Sequence, residues 1–484
     1  MALVVEPRLP NFLSATLIYS GCPFILSDKT QGKCMRIRSS VRSKHATQQL
    51  PDLAMSVELS SEEGQTAGIA GSSSSSLVTT TVLIIGAGST GLALAQGLKQ
   101  ANISCIVVER DGHLDARSRD WNMGMHWGGT ALKSLVSGEI WSRLQSVQVD
   151  PSQPTAESDD LKFVNGESGE LIAAIHAQKF YRLRRSKLRA LLAEELDIRY
   201  NKSFENIAFS SGDSLAVVHF NDGSSIAAKL VVGADGSRSS VRQLLLGPDQ
   251  AAIRRLPYCA TFIHSKFTRE QALFLRSFHP LYIAAIHPGG LFSFLGMQDA
   301  ADPERPETWT FFFYISWYSS LDEQDKTANW TDAQRSEQVK EFSRTFTDPF
   351  KSAFEWASAD CKVWYFGLHD FDPGAEGHRW GNLGGRVTLA GDSAHTMTYQ
   401  RGQGLNHSLT DAAELCEAIK NFTSKKSTQG AAISSYEEAM IRRAGGEVRL
   451  STTNTEMLHD WQKVLQSPLM KTGMRQTNKA AGTS

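Results

Sequence analysis

Short unbroken apolar runs separated by helical stripes open the ordered part of the chain. Val82, Leu83, Ile84 and Ile85 are apolar at every position, as in a strand buried on both faces. Leu92, Leu94, Ala95 and Leu98 follow at helical spacing, and Cys105 to Val108 form a second buried run. The order predicts a strand–helix–strand unit beginning near Thr79. From Asp111 to about Gln178 the pattern is less regular, and Pro151 to Asp160 is polar and turn-rich. Leu188, Leu191, Leu192 and Leu196 predict an amphipathic helix. Ala216 to Phe220 and Ile226 to Val232 flank Asn221-Asp222-Gly223, which predicts a hairpin.

The character changes near Pro257. Tyr258 to Ile263, Leu281 to Ile286, Leu291 to Leu295 and Trp309 to Tyr318 alternate or are rich in aromatics, which predicts a largely antiparallel sheet. Val387 and Leu389 then mark a strand, and Leu405, Leu409, Ala412, Cys416 and Ile419 a helical stripe. Ile433 to about Leu465 reads as two helices, with Met457, Leu458, Trp461 and Leu465 on one face. No internal repeat is visible.

Composition narrows the function classes. The chain has 484 residues, is 41% hydrophobic and carries a net charge of −1, so it supports a large core and offers no basic footprint for nucleic acid. Cys22, Cys34, Cys105, Cys259, Cys361 and Cys416 never form a Cys-x-x-Cys pair. A disulfide framework or a metal site is therefore not expected, and a reducing compartment fits. No apolar run is long enough to span a membrane. The segment 1–77 combines a basic cluster (Lys29 to Lys44) with a Ser-rich tract ending at Ser72 to Ser76. It reads as a disordered leader, a mitochondrial targeting segment, or residues ahead of a start at Met55; the expected location is cytoplasmic.

Three glycines carry the first chemical signal. Gly86, Gly88 and Gly91 make G-x-G-x-x-G between the first strand and its helix. The first allows a tight turn, the second lets a pyrophosphate approach the backbone, and the third lets helix and strand pack closely. Glu109, ending the next strand, is placed to accept ribose hydroxyls. An acid there disfavours the 2′-phosphate of NADPH, so FAD or NAD fits this site.

Further segments take the chain beyond a generic dinucleotide fold. Gly233-Ala234-Asp235-Gly236 is followed by Ser239, Val241 and Arg242. Gly391-Asp392-Ser393-Ala394-His395 continues to Gly402, Gly404, Leu405, Asn406, Asp411 and Ala412. Arg185 opens Arg-Ser-Lys-Leu, and Asn122 and Gly124 lie in Trp-Asn-Met-Gly-Met-His-Trp, with Arg119 just before. Together these make the chain resemble the class A flavoprotein monooxygenases, the para-hydroxybenzoate hydroxylase-like family, over roughly Thr79 to Leu465. The pattern is similar to fungal members of secondary metabolism. Where many members have a proline after the Gly-Asp motif, this chain has Tyr399.

The resemblance implies an α/β fold, α+β overall. A Rossmann-type FAD-binding domain (78–256 and 366–425) would surround an inserted, mostly antiparallel substrate sheet (257–365). C-terminal helices and a tail (426–484) would follow. It implies FAD contacts from Gly86, Gly88, Gly91, Glu109, Asn122, Gly124, Arg185, Asp235, Gly236, Asp392, Gly402, Gly404, Leu405 and Asn406. It also implies NADPH and molecular oxygen as co-substrates of a small-molecule substrate. That substrate, aromatic, polyketide or terpenoid in type, would be hydroxylated or epoxidised through a flavin hydroperoxide. An FAD oxidase, a dehydrogenase, a Baeyer–Villiger oxygenase and a non-catalytic flavoprotein stay open on the same fold. No proton-transfer catalyst is assigned. Asp235 reads equally as a helix cap, and His395 as a loop-fixing residue. His126, His264 and His287 read as structural. Of Phe311, Phe312, Phe313, Tyr314 and Trp317, only alternate residues can face a cavity.

Overall fold

The computed structural model describes residues 77–116, 118–209 and 215–474. The expected leader, up to residue 76, lies outside the described residues, as do Cys22 and Cys34.

The first apolar run forms β1 (Val78–Ile85), followed by α1 (Ser89–Gln100) and β2 (Cys105–Val108). Then come β3 (Asn122–Met125), α2 (Gly129–Leu135), α3 (Gly138–Ser142), β4 (Ser158–Asn165), β5 (Leu171–Gln178) and β6 (Tyr181–Arg184). α4 (Arg185–Ala193) buries Leu188, Leu191 and Leu192, while Leu196 falls just beyond its end. β7 (Ile198–Arg199) and β8 (Phe204–Phe209) lead into the expected hairpin, β9 (Ala216–Phe220) and β10 (Ser225–Gly233). Gly223 takes a positive φ of 78° at its turn.

α5 (Ser240–Gln250) precedes β11 (Arg254–Ser265), α6 (Arg269–Phe278), β12 (Tyr282–His287), β13 (Leu291–Asp299) and β14 (Thr310–Tyr318). α7 (Leu321–Lys326), α8 (Asp332–Ser343), α9 (Phe350–Glu355), β15 (Lys362–Asp370) and β16 (Val387–Leu389) follow. The chain closes with α10 (Asp392–His395), α11 (Gly404–Thr423), α12 (Gln429–Leu458) and α13 (Pro468–Thr472).

Two large sheets organise these elements. The first runs β7-β2-β1-β10-β9-β8, and β16 pairs with the C-terminal half of β10. Its β7, β2, β1, β10 and β16 are parallel, and β9 and β8 form an antiparallel margin. α1 packs on it and α11 packs on α1, and Val82, Leu83, Ile84, Val231 and Val232 are sealed from solvent. Burial on both faces explains their unbroken apolar runs. The second sheet runs β15-β11-β14-β13-β12-β4-β5 and is antiparallel except at β12–β4. β3 and β6 form a separate two-stranded ribbon.

Two expectations need correction. The second sheet is not confined to residues 257–365: it recruits β4 and β5 from the irregular stretch and extends to Asp370. β5 is a largely exposed edge strand, so its alternation is weak in sequence. The tail is not two helices across Ile433 to Leu465. One 30-residue helix, α12, runs to Leu458, and Trp461 and Leu465 lie past it, Leu465 65% exposed. Gly445 lies inside α12, where a Cβ would sit 2.8 Å from the Asp372 carboxylate, so the close approach there suits glycine.

Alternation on β14 sorts its aromatics. Phe311, Phe313, Ile315 and Trp317 pack with Phe350 and Phe354 of α9. Phe312 and Tyr314 point to the other face, beside Phe262, Phe294 and Tyr399. Among the described residues no helix is long and apolar enough to cross a membrane, and no group of three or more His, Cys, Asp or Glu is arranged to hold a metal ion.

Two expected outcomes follow. Phe313 is fully buried and meets Phe354 edge-on at 4.9 Å, so Phe313→Ala should cost about 3–5 kcal/mol, whereas Leu465→Ala should cost less than about 0.5 kcal/mol. Similar losses for the two in chemical denaturation would contradict this packing. His264 and His459 are held neutral by burial, both pushed down to about 4. Between about pH 6.5 and 4 the unfolded chain therefore binds protons that the folded chain refuses, and stability falls with pH by up to about 1.4 kcal/mol per unit per group. Nδ1 of His459 donates to the Thr455 carbonyl and Nε2 faces the Ser316 hydroxyl. His459→Gln should narrow the gap between melting temperatures at pH 7 and pH 5; an unchanged gap would remove His459 from this account.

Candidate functional site

The sequence motifs sit at the carboxyl ends of adjacent parallel strands. Ile85 of β1, Val108 of β2, Gly233 of β10 and Leu389 of β16 are in register. Three backbone bonds fix the exits at one level: Gly86 N–H to Val108 at 2.8 Å, Ala234 N–H to Ile85 at 2.8 Å and Ala390 N–H to Gly233 at 2.9 Å. Gly86, Asp235 and Asp392 thus start loops on one edge, where open α/β sheets bind ligands.

These loops touch. Gly86 has φ of 112°, and a Cβ there would lie 2.4 Å from the Ala234 carbonyl. A Cβ on Gly91 would lie 2.2 Å from the Gly86 carbonyl, so the third glycine sets the approach of helix to loop. Gly88 is different: its Cβ position meets nothing nearer than 3.9 Å. Glu109 is buried and braces the turn, accepting from Ala87 N–H at 3.0 Å and Asp111 N–H at 3.2 Å. Each carboxylate oxygen keeps a lone pair for a further donor.

The Asp235 carboxylate acts as a cap. It accepts from the Ser239 hydroxyl at 2.5 Å and from Ser240 N–H at 2.7 Å, at the start of α5. Its side chain is therefore spent inside the protein, and Gly236, half-buried with φ of 85°, leaves open space where a Cβ would sit. Arg242 staples this turn to the next one. It donates to the carbonyls of Ser237, Ala251 and Ser393 and lies over the Phe371 ring.

The Asp392 side chain is exposed to solvent at the start of α10. Crowding raises its carboxyl above the usual range, and His395, His369 and Arg185 oppose that shift. Arg185 begins α4, its guanidinium 4.5 Å from the centre of the Trp121 ring. Arg119 is exposed in the preceding loop. Behind Asp392 stands Asp411, fully buried. It accepts from Gly391 N–H at 2.8 Å, faces His395 Nε2 at 2.5 Å and pairs with Arg443 at 2.8 Å. His395 and Arg443 hold its carboxyl well below the usual range despite burial. His395 is sealed in this network, in keeping with a loop-fixing residue.

Gly402 and Gly404 open α11. Gly402 has φ of 64°, and added Cβ atoms at both would meet nothing within 4 Å. Leu405 is half-buried. α5, α6, α8 and α12 each begin on a Ser or Thr whose hydroxyl accepts from the first turn; α1 and α11 have no side-chain cap and no acid in that turn. Both uncapped N-termini face the shared edge, and their N–H groups and dipoles suit an anionic or electron-rich ligand. The open backbone at Gly88, Gly236, Gly402 and Gly404 fits a large flat nucleotide cofactor that must approach main chain.

Two of the expected contact residues turn elsewhere. Asn406 spends its carboxamide on the protein: Oδ1 accepts from His126 N–H and Gly128 N–H at 3.0 and 3.1 Å, and Nδ2 donates to the carbonyls of Gly402 and Gly124. Asn122 donates to the Met297 carbonyl at 2.9 Å and accepts from Arg182, so its side chain joins the second sheet. Both serve by tying segments together. Gly124 has no room for a side chain, since its Cβ would lie 2.5 Å from Phe180. His126 is half-buried in the same loop and pushed down to about 4 by desolvation.

The sequence reading missed the buried polar stripe of α12. Glu437, Arg443, Glu447, Ser451, Asn454 and Thr455 are buried. Glu447 accepts from Arg401 Nε at 2.7 Å, and Thr455 bonds the Gln400 carboxamide and the Thr398 hydroxyl. α12 thus holds the Thr398–Arg401 segment beside Tyr399 from behind. Polar residues recurring every three or four positions among Ile433, Met440 and Val448 were the available signal. Tyr399 packs against Phe262, Tyr314 and Phe366 at 5.2–6.1 Å, which puts the aromatic face of the second sheet next to the motif loops.

Known proteins share the family and the fold. The family model described as FAD binding domain matches residues 79–121 and 185–450. The FAD-dependent monooxygenase cctM of Talaromyces islandicus is 34% identical over 396 residues, 82% of this chain and 97% of its own length. The FAD-dependent monooxygenase phnB of Penicillium herquei is 35% identical over 402 residues, 81% and 95%. Two solved structures share the fold. HpxO of Klebsiella pneumoniae, complexed with FAD and uric acid, superposes with a TM-score of 0.62 at 18% identity, covering 80% of this chain and 90% of its own. 2,6-dihydroxypyridine-3-hydroxylase of Arthrobacter nicotinovorans gives 0.62 at 16%, covering 80% and 94%. The chain belongs to the class A FAD-dependent monooxygenases and is an FAD-binding oxidoreductase of that family.

Proposed function

We propose that this enzyme inserts one oxygen atom into a small aromatic, polyketide- or terpenoid-type molecule, with NADPH as reductant. The observation that carries the proposal is the aromatic face of the second sheet, Phe262, Phe294, Phe312 and Tyr314, packed against Tyr399 in the segment that leads from the Asp392 loop to the open backbone of Gly402 and Gly404. A ring-shaped substrate suits that face, and oxygen transfer suits its dryness.

In this reading the first turn of α1, with Gly86, Gly88 and Gly91, holds the pyrophosphate of FAD, and Glu109 accepts from its ribose. Arg185, Asp392 and the backbone at Gly236 hold the polar middle of the cofactor. The main chain of Gly402, Gly404, Leu405 and Asn406 backs its ring, and the dipole of α11 favours negative charge there. When bound, FAD supplies hydride acceptance and oxygen activation, chemistry that the side chains lack. The protein orients the ring, excludes water and keeps the Arg185 charge within electrostatic reach of Asp392. The relatives' names support monooxygenation. With one G-x-G-x-x-G, taken up by FAD, NADPH is expected at a transient site.

Gly88→Val would put branched carbon into the space left for the pyrophosphate, and Asp392→Ala would remove a cleft acceptor. Each purified variant is expected to stay folded and lose at least ~90% of its flavin, about 1.4 kcal/mol or more of binding. Normal flavin content in both would refute the site. For wild type, substrate-stimulated NADPH oxidation with labelled oxygen entering product is expected across a panel of phenols. Flavin reduction in stopped flow should be faster with NADPH than with NADH. Reduction without label in any product would point to an oxidase instead.

A further inference from the structure

We propose that Arg182 recognises an ionised oxygen of the substrate, a phenolate or carboxylate on an aromatic ring, and so orients that ring on the aromatic face. The inference deepens the oxygenase reading above and rests on it.

Arg182 lies on β6, in the segment 122–184 that the family model leaves unmatched. Its guanidinium stands over the Phe294 ring at 5.0 Å and the Tyr282 ring at 5.8 Å. One Nη donates to Asn122, whose own amide is pinned by the Met297 carbonyl. Nε is buried with no hydrogen-bond partner. Among the described residues no carboxylate forms an ion pair with it. Its neighbours differ: Arg184 pairs with Asp120 and Asp299, and Lys187 with Asp299. The acid on the far side of Tyr282, Asp159, accepts from the Tyr282 hydroxyl and lies 3.8 Å from His279. Burial lowers Arg182 to about 10, so it remains cationic at neutral pH.

A desolvated cation with spare donors is costly unless an anion completes it. Aromatic shelves fix the guanidinium plane and supply part of the compensation. From Arg182 the aromatic face continues through Phe294 to Tyr314 at 5.8 Å and on to Tyr399 at 5.2 Å, toward the loop that opens α11. An anionic ring seated on this face would have its charge at Arg182 and its carbon skeleton near Tyr399. A bidentate guanidinium contact selects an oxyanion over its neutral isostere by about ten- to a hundredfold.

The test uses full-length holoenzyme and two probes of equal shape, 2-naphthoate and 2-naphthamide, titrated by flavin absorbance and by calorimetry. Wild type should bind the carboxylate at least tenfold more tightly than the amide. Arg182→Met should erase that preference while keeping its FAD and its naphthamide affinity within about threefold. Arg182→Lys should retain part of the preference and guards against a folding defect in the first variant. No preference in wild type, including no saturable binding of either probe, would overturn the proposal. So would a preference that survives Arg182→Met, or loss of FAD from both variants, which would give the guanidinium to the cofactor. A flavin-free protein that still prefers naphthoate through Arg182 would sink the flavin reading and leave this one standing.

Discussion

The Asp411 carboxylate is the point from which the motif loops are held. One buried anion accepts the Gly391 amide, contacts His395 and pairs with Arg443. It thereby ties the turn after β16 to α10, α11 and α12. Removing one partner of such a buried pair typically costs about 3–5 kcal/mol, because the remaining charge stays in low dielectric. The arrangement places the cost of charge burial behind the cleft, so that Asp392 in front keeps its acceptor surface open. Arg242 repeats the principle between the turns after β10 and β16, using three carbonyls in place of a carboxylate.

The two sheets divide the work. The parallel sheet brings four strand ends to one level and offers main chain; the antiparallel sheet offers rings. Between them the β3–β6 ribbon and Asn406 act as the joint. Asn406 bonds the loop carrying Gly124 and His126 as well as the Gly402 carbonyl, while Asn122 reaches the Met297 carbonyl of β13. The carboxamides of Asn122 and Asn406, which look available for a ligand, are consumed in holding backbone, while the main chain at Gly88, Gly402 and Gly404 stays open.

What could be read from sequence was local. Gly86, Gly88 and Gly91 follow a strand and open a helix within a few residues, and Gly391 to Asn406 is one continuous stretch, so both motifs declare themselves. The aromatic alternation of Thr310–Tyr318 likewise survives in a linear pattern. What could not be read depends on pairings across long separations. β4 joins β12 through parallel partners such as Phe163 and Ala284, and its own run of Asp159, Asp160 and Lys162 disguises it. Arg401 and Glu447, both fully buried, look like surface charges until α12 is laid against the Tyr399 loop. Asn122 and Asn406 sit where cofactor ligands were expected, and only their long-range hydrogen bonds reveal their structural use.

The strand order of the parallel sheet has a bearing on how the chain acquires its shape as it is made. β1 emerges first, yet its neighbour β10 is paired in turn with β16, whose Val387–Leu389 arrives only after the entire second sheet. At ribosomal rates of 5–20 residues per second, that wait lasts roughly 15–60 s. For the second half of it, once β10 has been made, Val231–Gly233 still lacks one of its two parallel neighbours, and non-local pairing of this kind is slow to form. The architecture that aligns four strand ends therefore leaves a central parallel strand half-paired through much of synthesis.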